Sequence, residues 1–245
     1  MKLNCIKTFL LLASICSSNL IFGQERELSA GFKIEPLINW SKSDSKNISG
    51  NGGNFDFSFG VIVNKNMGSR VSLSSGINMS YINPSFTVAQ ANLSRNNSSV
   101  SSVTENIVFD YHLRYVDLPL ILQTSTRPNN GMAFMGEFGL MAGYLIRSKF
   151  DLTSSKFNLE NVDLENPDEQ DKIVLGEVGT TNSFDIGINK IRFNGILGLG
   201  VKKEVMDESE VQASLRYNFA IRSFPSEEKW KINNNHISLN LAFIF

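Results

Sequence analysis

Apolar and polar side chains alternate along most of the chain. The last ten residues, HISLNLAFIF, show the pattern most clearly, because Ile237, Leu239, Leu241, Phe243 and Phe245 share one parity and the residues between them, apart from Ile244, are polar or small. A period of two predicts a β-strand with one apolar face. An apolar strand with a free edge promotes aggregation. We therefore expect this strand to pair with the first one and close a barrel.

The same alternation predicts seven further strands. They are residues 28–40, 54–64, 70–81, 108–123, 132–146, 184–202 and 211–221. In the fourth strand the apolar face is set by Val116 and Leu118, while Tyr111, Leu113 and Tyr115 have the opposite parity, so its upper half is ambiguous. Eight is an even number, as single-chain bacterial membrane barrels require.

The connections between these strands alternate in length. Those at residues 64–69, 124–131 and 204–209 are short, and those at 41–53, 82–107, 147–183 and 222–235 are longer. Outer-membrane barrels have short periplasmic turns and longer extracellular loops. Only helices and closed barrels satisfy the backbone in hydrocarbon. The pattern predicts an all-β, eight-stranded antiparallel up-and-down transmembrane barrel. A soluble ligand-binding barrel is the alternative.

The first 23 residues have the composition of a cleaved secretory signal peptide. Lys2 and Lys7 precede an apolar stretch from Phe9 to Phe22, and Gly23 provides a small residue for cleavage. We expect the barrel domain to occupy residues 24–245. A lipoprotein signal acylated at Cys16 is the alternative, although Ile15 is bulkier than such signals prefer.

Composition narrows the possible environments. Both cysteines, Cys5 and Cys16, lie in the predicted signal, so the remaining chain cannot form a disulfide. Residues 24–245 carry 21 basic and 24 acidic side chains, a net charge of −3, which argues against a nucleic-acid partner. We expect a monomeric barrel in the cell outer membrane, with membrane lipid as its surroundings.

Short motifs give the chain a resemblance to a known family. Tyr115, Asp117, Leu118, Pro119 and Leu120 resemble the aromatic–x–acidic–Leu/Ile–Pro–Leu signature of PorT-like outer-membrane β-barrel proteins. A second group of residues resembles the second half of the same family's sequences. They are Gly195, Gly198, Gly200, Arg216 and Tyr217. The resemblance implies a small membrane barrel, and some relatives are linked to protein secretion. The terminal residues Leu239, Leu241, Phe243 and Phe245 resemble the signal read by barrel-assembly machinery.

The face opposite the predicted lipid face carries charged residues of both signs. They are Lys33, Glu35, Asp56, Arg114, Asp117, Glu137, Arg192, Lys202 and Arg216. Side chains can fill the interior of an eight-stranded barrel. We expect these residues to form an ion-pair network that fills the lumen. The alternative is a narrow, gated pathway for small solutes.

One pair of residues is a candidate for catalysis. His236 and Ser238 share a strand face, and some outer-membrane lipid A deacylases carry His-x-Ser on a strand. The pair is predicted to face the lumen, out of reach of an acyl chain, and the sequence places no carboxylate beside it. We expect His236 and His112 to be hydrogen-bonded lumen residues. We expect no enzyme activity, no cofactor and no metal.

Two further features have two interpretations each, and a third has one. Pro119 removes a ladder donor, which favours a bulge or kink in the strand, or a docking surface for a partner. The acidic loop 158–171 favours solvated charge, with calcium binding as the alternative. The Ser/Asn-rich stretch 91–103 is expected to be mobile and exposed. Taken together, the sequence indicates a non-enzymatic envelope protein that acts through its extracellular loops.

Overall fold

The computed structural model describes residues 28–45, 47–95, 105–153, 158–163, 173–177, 183–184, 188–206, 209–225 and 231–245. The predicted signal peptide lies outside these residues. The described chain is all-β. Its strands are β1 Leu28–Ser43, β2 Ile48–Gly50, β3 Asn54–Asn66, β4 Val71–Ile82, β5 Ser85–Arg95, β6 Glu105–Ser125, β7 Met132–Thr153, β8 Asn158–Asp163, β9 Ile173–Glu177, β10 Ser183–Phe184, β11 Ile191–Met206, β12 Ser209–Ala220 and β13 Ile232–Ile244.

Eight of these strands form a closed antiparallel barrel in the order β1, β3, β4, β6, β7, β11, β12 and β13. The seam joins the first and last strands, with Phe32 opposite Phe243 and Ile38 opposite Ile237. Beyond the strand, Phe245 N–H donates to the Ala30 carbonyl at 2.8 Å. The predicted closure by the C-terminal strand is therefore confirmed. In the described residues no helix is long and apolar enough to cross a membrane.

The outward-facing side chains of the barrel are apolar. Phe55 and Leu199 are 75% and 76% exposed, values that a water-soluble protein does not tolerate over a whole surface. Further exposed apolar residues are Phe32, Ile34, Ile38, Ile77, Leu118, Leu120, Phe134, Phe138, Leu140, Leu197, Leu215 and Leu239. Polar residues such as Asn78, Gln212 and Asn240 are buried inside. This inside-out distribution suits a barrel surrounded by hydrocarbon.

The apparent change of parity in the fourth predicted strand does not occur. Along β6, Tyr111, Tyr115 and Asp117 all face inward, and Leu118 faces outward. What changes is the character of the interior, which is polar at mid-barrel and apolar at one end. We call that apolar end the outer cap. Its residues are Leu37, Ile82, Phe86, Val88, Ile107, Phe109, Tyr111, Leu113, Tyr115, Leu145, Phe150, Leu152, Phe224 and Ile232.

Five strands outside the barrel, β2, β5, β8, β9 and β10, lie at the end with the long connections. We call them the outer strands. β5 pairs with the extension of β6, β9 with β5, and β10 with β9. β2 also pairs with β5, and β8 pairs with the extension of β7. These segments lie in connections that the sequence predicts as loops, so their strand pairing was not predicted. Their sequences lack clean alternation, and the pairing depends on contacts far apart in the chain. Residues 96–104 and 164–172 lie outside the described residues.

Pro119 causes no register shift. Ser75 lies opposite Leu120 and Asn78 lies opposite Asp117, so the two strands stay aligned on either side of the proline. The Ser75 hydroxyl donates to the Pro119 carbonyl at 2.9 Å. The proline side chain is buried in the lumen. A bulge at Pro119 and a partner-docking surface on it are therefore both wrong.

Candidate functional site in the barrel lumen

Arg216 lies at the centre of an ion-pair group of four charged residues in the lumen. Its Nε and Nη2 donate to the two carboxylate oxygens of Glu137 at 2.7 and 2.8 Å. Its Nη1 lies 3.7 Å from Glu35 Oε2, and Lys33 Nζ donates to the same carboxylate at 3.1 Å. Two cations and two anions thus alternate across three strands, β1, β7 and β12. Bidentate arginine–carboxylate geometry makes the central pair strong and directional.

A second pair lies nearer the outer cap. Arg192 Nε and Nη2 donate to the carboxylate of Asp117 at 3.1 and 2.6 Å. The guanidinium carbon stands 4.2 Å from the centre of the Tyr115 ring. Ser80 Oγ donates to the same aspartate. Asp117 therefore ties β4, β6 and β11 together beneath the outer cap.

The remaining predicted charges lie at the ends of the network. Lys202 is half-exposed at the mouth near the short turns and forms an ion pair with Glu210 at 3.1 Å. Asp56, near the other end, accepts hydrogen bonds from the Asn39 and Asn83 side-chain amides. It also accepts one from the Asn83 backbone N–H at 2.8 Å. These hydrogen-bond donors to Asp56 are neutral groups, unlike the arginines that bind Glu137 and Asp117.

Arg114 does not belong to the lumen network. It shares the outward parity of Leu118, and its guanidinium carbon stands 5.1 Å from the centre of the Tyr81 ring on the barrel exterior. The prediction failed because it assumed that β6 changes parity above Val116. The lumen set is therefore Lys33, Glu35, Asp56, Asp117, Glu137, Arg192, Lys202 and Arg216.

His236 and Ser238 are both buried in the lumen, as predicted, but they do not form a catalytic pair. Ser238 Oγ donates to Glu35 Oε1 at 2.6 Å and accepts from Asn218 Nδ2 at 3.3 Å. His236 Nδ1 has no hydrogen-bond partner among the described residues, so the hydrogen bond that we expected does not form at this nitrogen. Because the serine is bound to a carboxylate rather than to the imidazole, the histidine is not placed to act as its base.

His112 is not a lumen residue, contrary to prediction. Its side chain lies on the exterior, where Nδ1 is 2.8 Å from Asn83 Oδ1 and Nε2 is 2.9 Å from Asp151 Oδ2. Within the described residues no cluster of three or more His, Cys, Asp or Glu side chains could hold a metal. Four acidic residues of the 158–171 loop, Glu165, Asp168, Glu169 and Asp171, lie outside the described residues.

Neutral side chains that the parity analysis did not single out complete the network. Gln123 Nε2 donates to Glu137 Oε1 at 2.9 Å, and Gln212 Nε2 donates to Glu210 Oε1 at 2.6 Å. A cavity of about 10 Å³ lies between Lys33, Asn78 and His236. That volume is close to the minimum for one water molecule. Inward parity at Gln123 and Gln212 was the sequence signal that could have identified them.

The three glycines of the family signature occupy crowded positions on β11. At Gly198, an added Cβ would lie 2.6 Å from Glu137 Oε2 and 3.1 Å from Arg216 Cγ, so the missing side chain makes room for the central ion pair. At Gly195, an added Cβ would meet the ring of Phe219. At Gly200, it would lie 2.6 Å from Ser214 Cβ.

The other signature residues divide between the two faces. Tyr115, Asp117, Pro119 and Arg216 face inward, and Leu118, Leu120 and Tyr217 face outward. Tyr217 stacks on Trp40 with ring centres 6.2 Å apart. The terminal residues resembling an assembly signal, Leu239, Leu241, Phe243 and Phe245, also face outward. Phe245 packs against Phe32 across the seam at 5.9 Å.

A closed eight-stranded barrel with an apolar exterior and an ion-paired interior defines the class of small outer-membrane barrel proteins. Residues 22–225 match the family model described as the outer membrane protein beta-barrel domain, and the chain belongs to that family. No curated protein matches the sequence.

Solved structures of bacterial outer-membrane proteins also align with this chain. The attachment invasion locus protein Ail of Yersinia pestis is 13% identical, with 89% of this chain and 99% of that chain covered and a TM-score of 0.37. Neisserial surface protein A is 10% identical, with 87% and 97% covered and a TM-score of 0.39. The translocator domain of the autotransporter NalP from Neisseria meningitidis is 10% identical, with 97% and 95% covered and a TM-score of 0.31.

Proposed function

We propose that this outer-membrane barrel is a closed, non-enzymatic envelope protein whose working surface is its extracellular end. The observation that carries the proposal is the ion-paired lumen around Arg216, which is 1% exposed and in contact with two carboxylates. A polar solute crossing the barrel would have to displace this side chain from its charged partners. A barrel filled in this way supports surface interaction more than transport.

The extracellular end offers ordered backbone for such interaction. The extended strands β6 and β7 have 21 and 22 residues, whereas about 9–11 are enough to cross a membrane. Both carry outer strands on their extensions, and the outer cap packs beneath them. Short turns of such barrels are periplasmic, so these extensions project away from the cell.

Conductance in planar lipid bilayers tests the closed lumen. We expect the purified protein to insert without producing stepwise current. A matched variant in which Arg216 and Arg192 are both replaced by Ala removes the two guanidinium side chains that fill mid-barrel, and it serves as the positive control for a pathway. Stepwise conductance by the unmodified protein would support the narrow-channel alternative instead.

The alternative of a lipid A-modifying enzyme depends on His236 and Ser238. Their burial and the Ser238–Glu35 hydrogen bond weigh against it. Mass spectrometry of lipid A from cells expressing the protein or its Ser238→Ala variant is the test. We expect identical acylation patterns, and a serine-dependent loss of an acyl chain would establish the enzyme.

More specifically, we propose that the protein is linked to secretion, as some PorT-like proteins are. We expect a partner in the envelope to contact the extracellular end, and barrel-assembly machinery to bind the terminal strand only during insertion. A photo-crosslinking residue at exposed Gly52 or Gly53, between β2 and β3, is expected to capture a discrete partner in intact cells. The same residue at Lys65, on the opposite end, is the control. Equal capture at both ends, or capture at neither, would count against an extracellular partner.

A further inference from the structure

Two arginines occupy directly paired positions on adjacent strands on the outside of the barrel, which is an unfavourable arrangement unless something else binds them. Arg114 on β6 and Arg147 on β7 are direct cross-strand partners. Both point outward, and Arg147 is exposed. Like charges in directly opposed positions destabilise a sheet. Within the described residues, neither arginine has a carboxylate within ion-pair distance.

Within the described residues, the neighbouring strands place no acidic residue opposite this pair. On one side, Tyr81 of β4 lies opposite Arg114 and stacks with it, supplying a π-face but no negative charge. On the other side, the described part of β8 ends at Asp163, which lies opposite Lys149. Its register places an acidic residue across from Lys149 and, within the described residues, none across from Arg147.

The depth of the pair in the membrane is set by the residues around it. The next outward row toward the turn end contains Met79, Val116, Tyr144 and Ile191, which are apolar or aromatic. In the other direction the outward row contains His112 and Lys149. The two guanidiniums thus lie where the lipid-facing surface ends and the polar extracellular surface begins. This is the level of the lipid headgroups in the outer leaflet.

We infer that Arg114 and Arg147 form a binding site for a phosphate group on a membrane lipid headgroup. Two guanidiniums offer paired N–H donors in a planar fork that matches phosphate geometry. The phosphate would neutralise the opposed charges, and the acyl chains of the same molecule would lie along the apolar wall below. A free phosphate ion presents the same chemistry without the chains, so the two sources must be distinguished by experiment.

The test uses the full-length folded protein in detergent and measures retained lipid by native mass spectrometry. The probes are lipid A carrying two phosphates, the same lipid after dephosphorylation, and inorganic phosphate. We expect retention of the phosphorylated lipid only. The R114Q/R147Q variant loses charged hydrogen bonds to the phosphate and is expected to bind at least about tenfold more weakly, or about 1.4 kcal/mol.

The matched control is the K65Q/R70Q variant, which removes two exposed charges at the other end of the barrel. It is expected to retain the phosphorylated lipid as the unmodified protein does. Heat-modifiable gel migration verifies that each variant is folded, and the single R147Q variant replaces the double one if the latter fails this check.

Three results would overturn the inference. The first is equal retention of phosphorylated and dephosphorylated lipid, and the second is equal loss of lipid in the R114Q/R147Q and K65Q/R70Q variants. The third is arginine-dependent binding of inorganic phosphate with no preference for the lipid, which would assign the site to a free anion.

Discussion

Arg216 is the residue on which the lumen network depends most. Replacing it with Met leaves Glu137 buried without its bidentate partner and removes one of the two cations beside Glu35. Breaking a buried ion pair from one side typically costs about 3–5 kcal/mol. We expect a loss of that order in the free energy of unfolding, measured by urea titration of the barrel in phospholipid vesicles.

Two variants make this measurement specific. Lys202→Met removes a cation from the half-exposed pair with Glu210, and an exposed pair contributes only about 0–1 kcal/mol. The double variant E137L/R216M removes both members of the central pair and leaves Lys33 beside Glu35. It is expected to be more stable than R216M alone. If R216M unfolds like the unmodified protein, the ion pairs do not hold the lumen together.

At the same scale, parity placed the charged residues in the lumen correctly except for Arg114, but it did not predict which of them form ion pairs. Glu137 and Arg216 are 79 positions apart, and their contact depends on the register of β7, β11 and β12. Register and barrel stagger are properties of the whole sheet that a single strand does not encode. Arg114 was misassigned because a parity change was assumed where the strand is regular.

At the scale of a strand, position 198 of β11 has no room for a side chain larger than that of glycine. An added Cβ would lie 2.6 Å from Glu137 Oε2, so Gly198→Val is expected to push the Glu137–Arg216 pair apart. Overpacking of this kind costs about 1–3 kcal/mol. Urea unfolding in vesicles measures it.

Gly136 on neighbouring β7 is the matched control for Gly198→Val. It faces outward, and the nearest atom to an added Cβ is Thr124 Oγ1 at 3.5 Å, an ordinary contact. Valine also has the higher strand propensity at both sites. Gly136→Val is therefore expected to be neutral or stabilising. Equal destabilisation by both substitutions would mean that the lumen contacts at Gly198 are not the cause.

The outer cap is expected to respond separately from the membrane-spanning barrel. Phe109 is fully buried and stacks on Phe86 with ring centres 5.2 Å apart. Phe109→Ala leaves a cavity, at a typical cost of about 3–5 kcal/mol. We expect faster amide hydrogen exchange in β5 and in the β6 extension, with unchanged exchange in β11 and β12.

Leu199→Ala is the control for that substitution, since Leu199 faces outward and its removal leaves no internal cavity. It is expected to leave exchange in β5 unchanged. Uniformly faster exchange across all strands of the Phe109→Ala variant would show that cap and barrel unfold as one unit.

How well each strand could be predicted depended on what lies on its two faces. Strands that separate lipid from a polar lumen must alternate strictly, and all eight were found from that alternation. Alternation weakens where both faces of a strand are covered by protein or water. The outer strands and the extensions of β6 and β7 lie in such surroundings, so their extent was missed.

At the scale of the whole molecule, an apolar exterior in contact with lipid surrounds an ionised interior that is shielded from it. The chain has no cysteine after Cys16, so single cysteines can be introduced one at a time and spin-labelled. Consecutive positions on β11, Ile196, Leu197, Gly198 and Leu199, alternate between the two environments.

The most direct measurement is the collision rate of each label with oxygen, which concentrates in lipid, and with a water-soluble nickel complex, in reconstituted vesicles. Gly198 is left unlabelled, because it is too crowded to carry a label. We predict high oxygen collision rates at Leu197 and Leu199 and low rates for both reagents at Ile196. High nickel-complex rates at Leu197 and Leu199, with the label at Ile196 in lipid, would contradict an apolar exterior in contact with lipid.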